Sequence, residues 1–355
     1  MCDNLQTQSE RNNTIDIIKA VAIILVCIGH SIQFGSGSIV LSEELFFDNI
    51  CFKIIYSFHM PLFMLISGYL FYSSANKRTW KNNIFLKIQT LIVPNLFWSI
   101  IPFMITLRNR ENSSFFSLVI QYFSVLMHNN WFLWAVFWCS FIVIITRYFL
   151  EDNLIFYLAF FSLSFFLFDE FNLNLYKYMY PYFLLGYFFH KFDGKRVWKK
   201  VYNAVCFKII IGILFVFLLL NFDKDMYIYT SGYQLQKGDL FYQLYIDLFR
   251  LTIGVMGSIC AIYIVTFFEK YISDRIRNLL IYIGKNTMGI YIVSVLVQSY
   301  FLSYLTKSIN GISYILVLFE TIYVMLISIL CIKVIKICPI LNKLLLGQKY
   351  YREKV

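Results

Sequence analysis

The sequence predicts an all-α membrane protein, a polytopic transmembrane helix bundle of about ten spans with both termini in the cytoplasm. Composition is the first reason. Of 355 residues, 59% are hydrophobic and 14% charged, against about 45–50% and about 25% in an average soluble domain. Pattern is the second. The apolar residues come in runs of roughly 18–25, each long enough to cross a bilayer core. The third is a missing alternation: a β-barrel would show segments of about ten residues with every second one apolar. A soluble enzyme, a disordered chain and a secreted disulfide scaffold are excluded on the same grounds.

The candidate spans are 14–34, 50–72, 84–107, 131–149, 153–168, 176–192, 205–222, 240–268, 286–305 and 313–336. The first follows a polar stretch with a single Arg11 and no small-residue cleavage site, so it reads as a retained helix. The second contains Pro61, which removes one helical hydrogen bond. The third is followed by Arg108 and Arg110. Segment 115–127 is apolar but short, and reads as an interfacial or re-entrant helix. The fourth opens on Trp131-Phe132-Leu133-Trp134, as an interfacial aromatic belt does. The later spans are separated by polar loops, the most basic of which holds Lys191, Lys195, Arg196, Lys199 and Lys200. Residues 1–13 read as an N-terminal tail, 14–338 as the transmembrane domain and 339–355 as a C-terminal tail. No separate soluble domain is expected.

With an even number of spans both termini share a side, and the loops on that side carry roughly three times as many Lys and Arg as the opposite loops. The excess places them in the cytoplasm. The net charge of +11 is therefore mostly topogenic. Nucleic acid is not expected as a partner, because no basic face with interleaved aromatics stands apart from the loops. The eight cysteines form no C-x-x-C and mostly lie in apolar runs, so no metal site is expected.

A charged group at the bilayer centre costs at least about 2.5–3.5 kcal/mol, so ionisable residues inside spans are functional candidates. The first span has Asp16, Lys19 and His30. At 100° per residue all three fall on one stripe, with Lys19 and His30 about 16 Å apart along the axis. Asp16 and Lys19 sit near the cytoplasmic end and His30 in the outer half. An interfacial ion pair is the plainer account of Asp16 and Lys19, and an interhelical hydrogen bond that of His30. The second span brings His59, within Ser57-Phe58-His59-Met60-Pro61, to a comparable depth. Asp247 and Arg250 are i,i+3 neighbours, placed for an ion pair. Glu320 in the last span has no helical partner in view. Lys87 can snorkel to the cytoplasmic side.

These residues resemble the acyltransferase-3 family of integral membrane acyltransferases. That family's first span carries an Asp, a basic residue, and a His eleven positions after the basic one; here these are Asp16, Lys19 and His30. Phe58 to Phe63 and Ser67-Gly68-Tyr69 resemble its F-H-M-P-L-F…S-G-Y pattern almost letter for letter. Lys87 and Pro94 partly match its third span. Trp131-Phe132-Leu133, Phe183 to Tyr187 and Ile283 to Tyr291 match later elements. Three positions depart from the pattern. Lys19 replaces the commoner Arg, Thr90 stands where a second third-span arginine is usual, and Ser294 replaces a late histidine.

The resemblance implies a membrane O-acyltransferase, expected to move an acetyl group. The donor would be acetyl-CoA or another acyl-CoA, made in the cytoplasm. The acceptor would be a hydroxyl of a cell-surface or lipid-linked carbohydrate. The implied location is the cytoplasmic (inner) membrane of a bacterium, among membrane lipids. Imidazole suits a base that works near neutral pH, and Lys and Arg suit phosphates. His30 and His59 are thus the expected catalytic pair, with Lys19, Arg78 and Lys87 on the donor. Asp16, Glu320, Asp247, Arg250 and Trp131 are expected to support the site or the acceptor. A transporter or flippase of a polysaccharide precursor or small solute is the competing class, since it too would keep charges inside kinked spans.

Overall fold

The computed structural model describes residues 13–35, 45–108, 114–167, 170–192, 204–233, 239–305 and 313–348. All regular structure among them is helical. We number the main helices α1 (Asn13–Gly35), α2 (Ile50–Asn76), α3 (Trp80–Leu107), α4 (Phe115–His128), α5 (Trp131–Phe149), α6 (Leu154–Ser164) and α7 (Leu173–Phe192). They are followed by α8 (Val205–Leu220), α9 (Leu240–Phe268), α10 (Asp274–Lys285), α11 (Thr287–Leu302), α12 (Tyr314–Ile337) and α13 (Pro339–Leu346).

Six of these, α1, α2, α3, α5, α9 and α12, are long and apolar enough to cross a membrane. The pair α10 and α11, bent by 74° at their junction, makes a seventh if taken as one span. That number is smaller than ten for identifiable reasons. The runs at 153–168 and 205–222 form helices of only 11 and 16 residues. The run at 176–192 lies in α7, whose apolar residues are interrupted by Lys177, a series of tyrosines, His190 and Lys191. Segment 115–127 is the 14-residue helix α4. The outer faces are largely apolar, as a lipid-facing surface requires: Ile209, Ile213 and Phe217 on α8 and Leu318, Phe319 and Leu330 on α12 are all exposed.

α3 starts four residues before the expected span, at Trp80, where the side chain of Thr79 caps its first turn. It then widens into a π-turn at Ile88–Ile92. Pro94 has no N–H to give, and the ladder re-phases just ahead of it. α2, by contrast, runs through Pro61 without a break. The C-terminal stretch read as a tail begins with α13, which packs on α3.

α1 is the central helix, surrounded by α2, α10, α11 and α12. Helices in lipid gain little from apolar contact with one another, so close backbone approach at small residues takes over. The α2–α7 crossing is built this way from both sides. A Cβ on Gly68 would lie 1.9 Å from the Phe183 carbonyl oxygen, and one on Gly186 would lie 1.9 Å from that of Leu65. Gly284 of α10 meets α1 likewise, with its Cβ position 1.8 Å from the Asp16 carbonyl oxygen. The S-G-Y and F-x-x-G-Y elements of the sequence are thus two halves of one helix crossing.

Gly68→Ala and Gly186→Ala should each lower the thermal midpoint of the detergent-extracted protein, by an overpacking cost of about 1–3 kcal/mol or more. Gly212 on α8 has open space around its Cβ position, so Gly212→Ala should be neutral or slightly stabilising, by up to about 1 kcal/mol. Size-exclusion profiles after heating compare the three; equal midpoints for all would refute this account of the crossing.

Candidate active site

α1 carries two groups of different character. Near its N-terminus Lys19 Nζ lies 3.2 Å from Asp16 Oδ1. Asp16 is buried, and Lys19 reaches the edge of a cavity of about 150 Å³. Ile23, Val26, Met60, Phe63, Leu91, Phe132 and Tyr291 give that cavity apolar walls. Lys87 and Arg78 do not line it. Lys87 Nζ sits 4.8 Å over the ring of Phe71, next to the cavity residue Leu70, and is close enough to Arg78 for their charges to interact. Arg78 is exposed and donates to Ser74 Oγ at 2.6 Å.

Eleven residues along, His30 stacks on Phe34 with centroids 5.6 Å apart. Its Nδ1 is buried and has no hydrogen-bond partner among the described residues. The neighbouring Ser31 is held on two sides: Gln298 Nε2 donates to its Oγ at 3.0 Å and Thr321 Oγ1 donates at 3.2 Å. Gln298 Nε2 also reaches the Cys27 carbonyl at 2.8 Å, one turn earlier. Glu320, adjacent to Thr321, is 4% exposed. Neither of its carboxylate oxygens, nor Gln298 Oε1, has a partner among the described residues. Native proteins pair nearly all such atoms. Ser31, Gln298 and Thr321 thus form a polar seam between α1, α11 and α12. Ser294, at the place of the family's late histidine, is buried and donates to the Tyr291 carbonyl at 2.9 Å.

His59 is buried, with its Nδ1 2.7 Å from the Ile55 carbonyl. A carbonyl only accepts, so Nδ1 carries the proton and Nε2 keeps its lone pair. His59 lines a second, smaller cavity of about 20 Å³, together with Tyr56, Trp131, Tyr178, Tyr227, Tyr229 and Arg250. Tyr56 joins the two histidine regions. Its ring is 4.8 Å from that of His59, its hydroxyl donates to Gln33 Oε1 at 3.0 Å, and its edge lies against Gly29, beside His30. Trp131 is positioned by the residue before it. Asn130 adopts a left-handed φ of 51° and donates from Nδ2 to Asn95 Oδ1 at 3.0 Å.

Arg250 is 1% exposed, and its N–H groups are all engaged. Nε donates to the Met226 carbonyl at 3.0 Å and Nη2 to that of Asp225 at 2.8 Å. Further bonds reach the Tyr227 and Gly232 carbonyls and Ser231 Oγ. Nη1 also lies 3.3 Å from Asp247 Oδ1. The arginine is a staple that folds segment 224–232 over the second cavity. Tyr227 of that segment donates to the Phe47 carbonyl at 3.0 Å. Burial raises its phenol above the ordinary range, so it stays a neutral donor.

A family model described as an acyltransferase domain, that of the acyltransferase-3 family, matches residues 12–333. The chain belongs to the acyltransferase-3 family. The chain is also similar to two nodulation proteins NolL. The one from Mesorhizobium japonicum is 29% identical over 234 residues, which are 63% of this chain and 60% of that protein. The one from Sinorhizobium fredii is 31% identical over 191 residues, 51% of this chain and 49% of that protein. The chain thus spans about half to three-fifths of the length of the curated relatives it matches. No solved structure matches it.

In this family member the motif residues divide between the two ends of the bundle. Asp16 and Lys19 form one group; His59, Trp131 and Arg250 share the second cavity; Asp247 is paired with Arg250; His30 and Glu320 each precede by one residue a member of the Ser31–Gln298–Thr321 seam. Gln298, Ser31 and Thr321 were not singled out from the sequence, although a glutamine inside an apolar run is a readable signal. Tyr56 and the 224–232 segment are also new. Nothing local in the sequence marks that segment, because its partner is Arg250 on another element.

Removing Arg250 should cost about 3–5 kcal/mol, because it strands Asp247 and several buried carbonyls. Arg250→Lys should recover little of this, since one ammonium cannot span the fork of acceptors. Thermal unfolding of both variants tests the staple, and a midpoint equal to that of the unsubstituted protein in either one would refute it.

Proposed function

We propose that this family member is a membrane O-acyltransferase that moves an acyl group, most simply acetyl, from acyl-CoA to a hydroxyl of a cell-surface or lipid-linked carbohydrate. The observation that carries this reading is the layout of α1: a paired lysine at one cavity and an imidazole with an unpartnered nitrogen about 16 Å further along. The Lys19 end of α1 is read as cytoplasmic, with both termini on the cytoplasmic side of a bacterial inner membrane. The basic loops of the sequence support that orientation.

In this reading the CoA phosphates lie at the cytoplasmic mouth, held by Lys19 and, at the rim, by Arg78 and Lys87. Asp16 keeps Lys19 in place. The thioester arm enters the apolar cavity toward the histidines. His30 takes the proton of the acceptor hydroxyl as the oxygen attacks the thioester carbonyl. The carbon–sulfur bond then breaks, and the proton passes from the imidazolium to the departing CoA thiolate. A transient acyl-imidazole on His30 is the two-step version of the same transfer. His59 assists through its Nε2 lone pair, and Glu320 supplies the negative charge that an imidazolium on this seam needs.

His30→Ala should reduce acyl transfer to the surface glycan by about a hundredfold or more, with the protein still in the membrane fraction. Mass spectrometry of glycan acyl content, with and without the variant, is the measurement. Unchanged acylation would overturn the assignment. Lys19→Ala should raise KM for acyl-CoA more than Lys19→Arg does, since only the latter keeps the cation; equal KM values would remove Lys19 from the donor site.

A further inference from the structure

The two cavities approach each other from opposite ends of the bundle, and of the residues lining them only Met60 belongs to both. Met60 is 7% exposed and sits directly after His59 on α2. On its Lys19 side the space is about 150 Å³, with Val26, Phe63, Phe132 and Tyr291 as walls. On its His59 side only about 20 Å³ remains. A chain that enters past Lys19 therefore runs along apolar surface until it meets the Met60 thioether. Beyond that point the lining changes to His59, tyrosines and Arg250.

We propose that Met60 is the partition that closes the end of the donor cavity and the residue that limits the length of the acyl chain transferred. The inference rests on the acyl-transfer reading above and deepens it. An acetyl thioester ends short of the partition, and His59 is the first histidine on its far side. A longer acyl chain has to pass Met60 into the second cavity, where there is no room for it. Methionine suits such a wall, since its unbranched side chain fills an irregular gap. Truncation merges the two spaces at low cost to the backbone of α2.

The test uses membrane vesicles that carry the full chain, with release of free CoA thiol from acetyl-CoA and from hexanoyl-CoA as the readout and His30→Ala vesicles as background. The quantity compared is the ratio of kcat/KM for the two donors within each sample, which does not depend on how much of a variant folds. Met60→Ala should raise the hexanoyl-to-acetyl ratio about tenfold or more, as a changed apolar pocket does for a few methylenes. Met60→Val should fall between, and Met60→Leu, which conserves volume, should stay within about twofold of the unsubstituted protein. An unchanged ratio in Met60→Ala, or equal use of both donors by the unsubstituted protein, overturns the partition and leaves acyl transfer standing. Release of no thiol from either donor by the unsubstituted protein overturns acyl transfer, and the partition with it.

Discussion

The bundle depends on how closely three helices can approach α2 and α1. At the α2–α7 crossing, side-chain volume is absent on both partners, and backbone meets backbone. Several contacts follow from that closeness. His190 Nδ1 lies 2.7 Å from the Tyr69 carbonyl, and the Tyr69 and His190 rings lie 4.1 Å apart. Tyr182 on α7 can then reach past α2 to donate to the Arg250 carbonyl on α9 at 2.9 Å. Gly254 accepts that approach, since a Cβ there would press on Tyr182 and Pro61. The depth of His59 on α2 and of Arg250 on α9 is thus set by where two glycines allow the helices to cross.

Buried and half-buried polar groups in this molecule are treated in two ways. Some are saturated. Asp152 accepts from Tyr157 at 2.6 Å, from Tyr187 at 3.1 Å and from Lys191 at 2.5 Å, and Arg250 is surrounded by acceptors. Such groups staple loops to helices, and they have nothing left to offer a ligand. Others are left open: His30 Nδ1, both oxygens of Glu320 and Gln298 Oε1.

Much of this was legible in the residues themselves. The helical class, the limits of α5 at 131–149 and α9 at 240–268, the Asp16–Lys19 pair and the Asp247–Arg250 pair all follow from hydropathy and helical spacing. The family of the chain was legible too, through short motifs in order. Length was less so: runs at 153–168 and 205–222 are apolar enough to read as spans, yet their helices stop early. Periodicity also says nothing about what meets across helices. Gln298 against Ser31 and Arg250 against the 224–232 segment join residues far apart in sequence or on separate elements. Glycine was read as motif punctuation, whereas its physical role is to bring α7 onto α2.

The docking of α13 on α3 bears on how the protein is made. Trp98 Nε1 donates to the Leu345 carbonyl at 2.9 Å, and Gly347, at a φ of 61°, rests against Gln89 and Thr90 of the π-turn. That turn also contains Leu91, a wall of the larger cavity. During synthesis the wall emerges early, but its buttress follows some 250 residues later. The Lys19 end of the molecule is therefore the last part to be completed, and in a nascent chain halted before residue 345 the cavity beside Lys19 would still lack a fixed boundary.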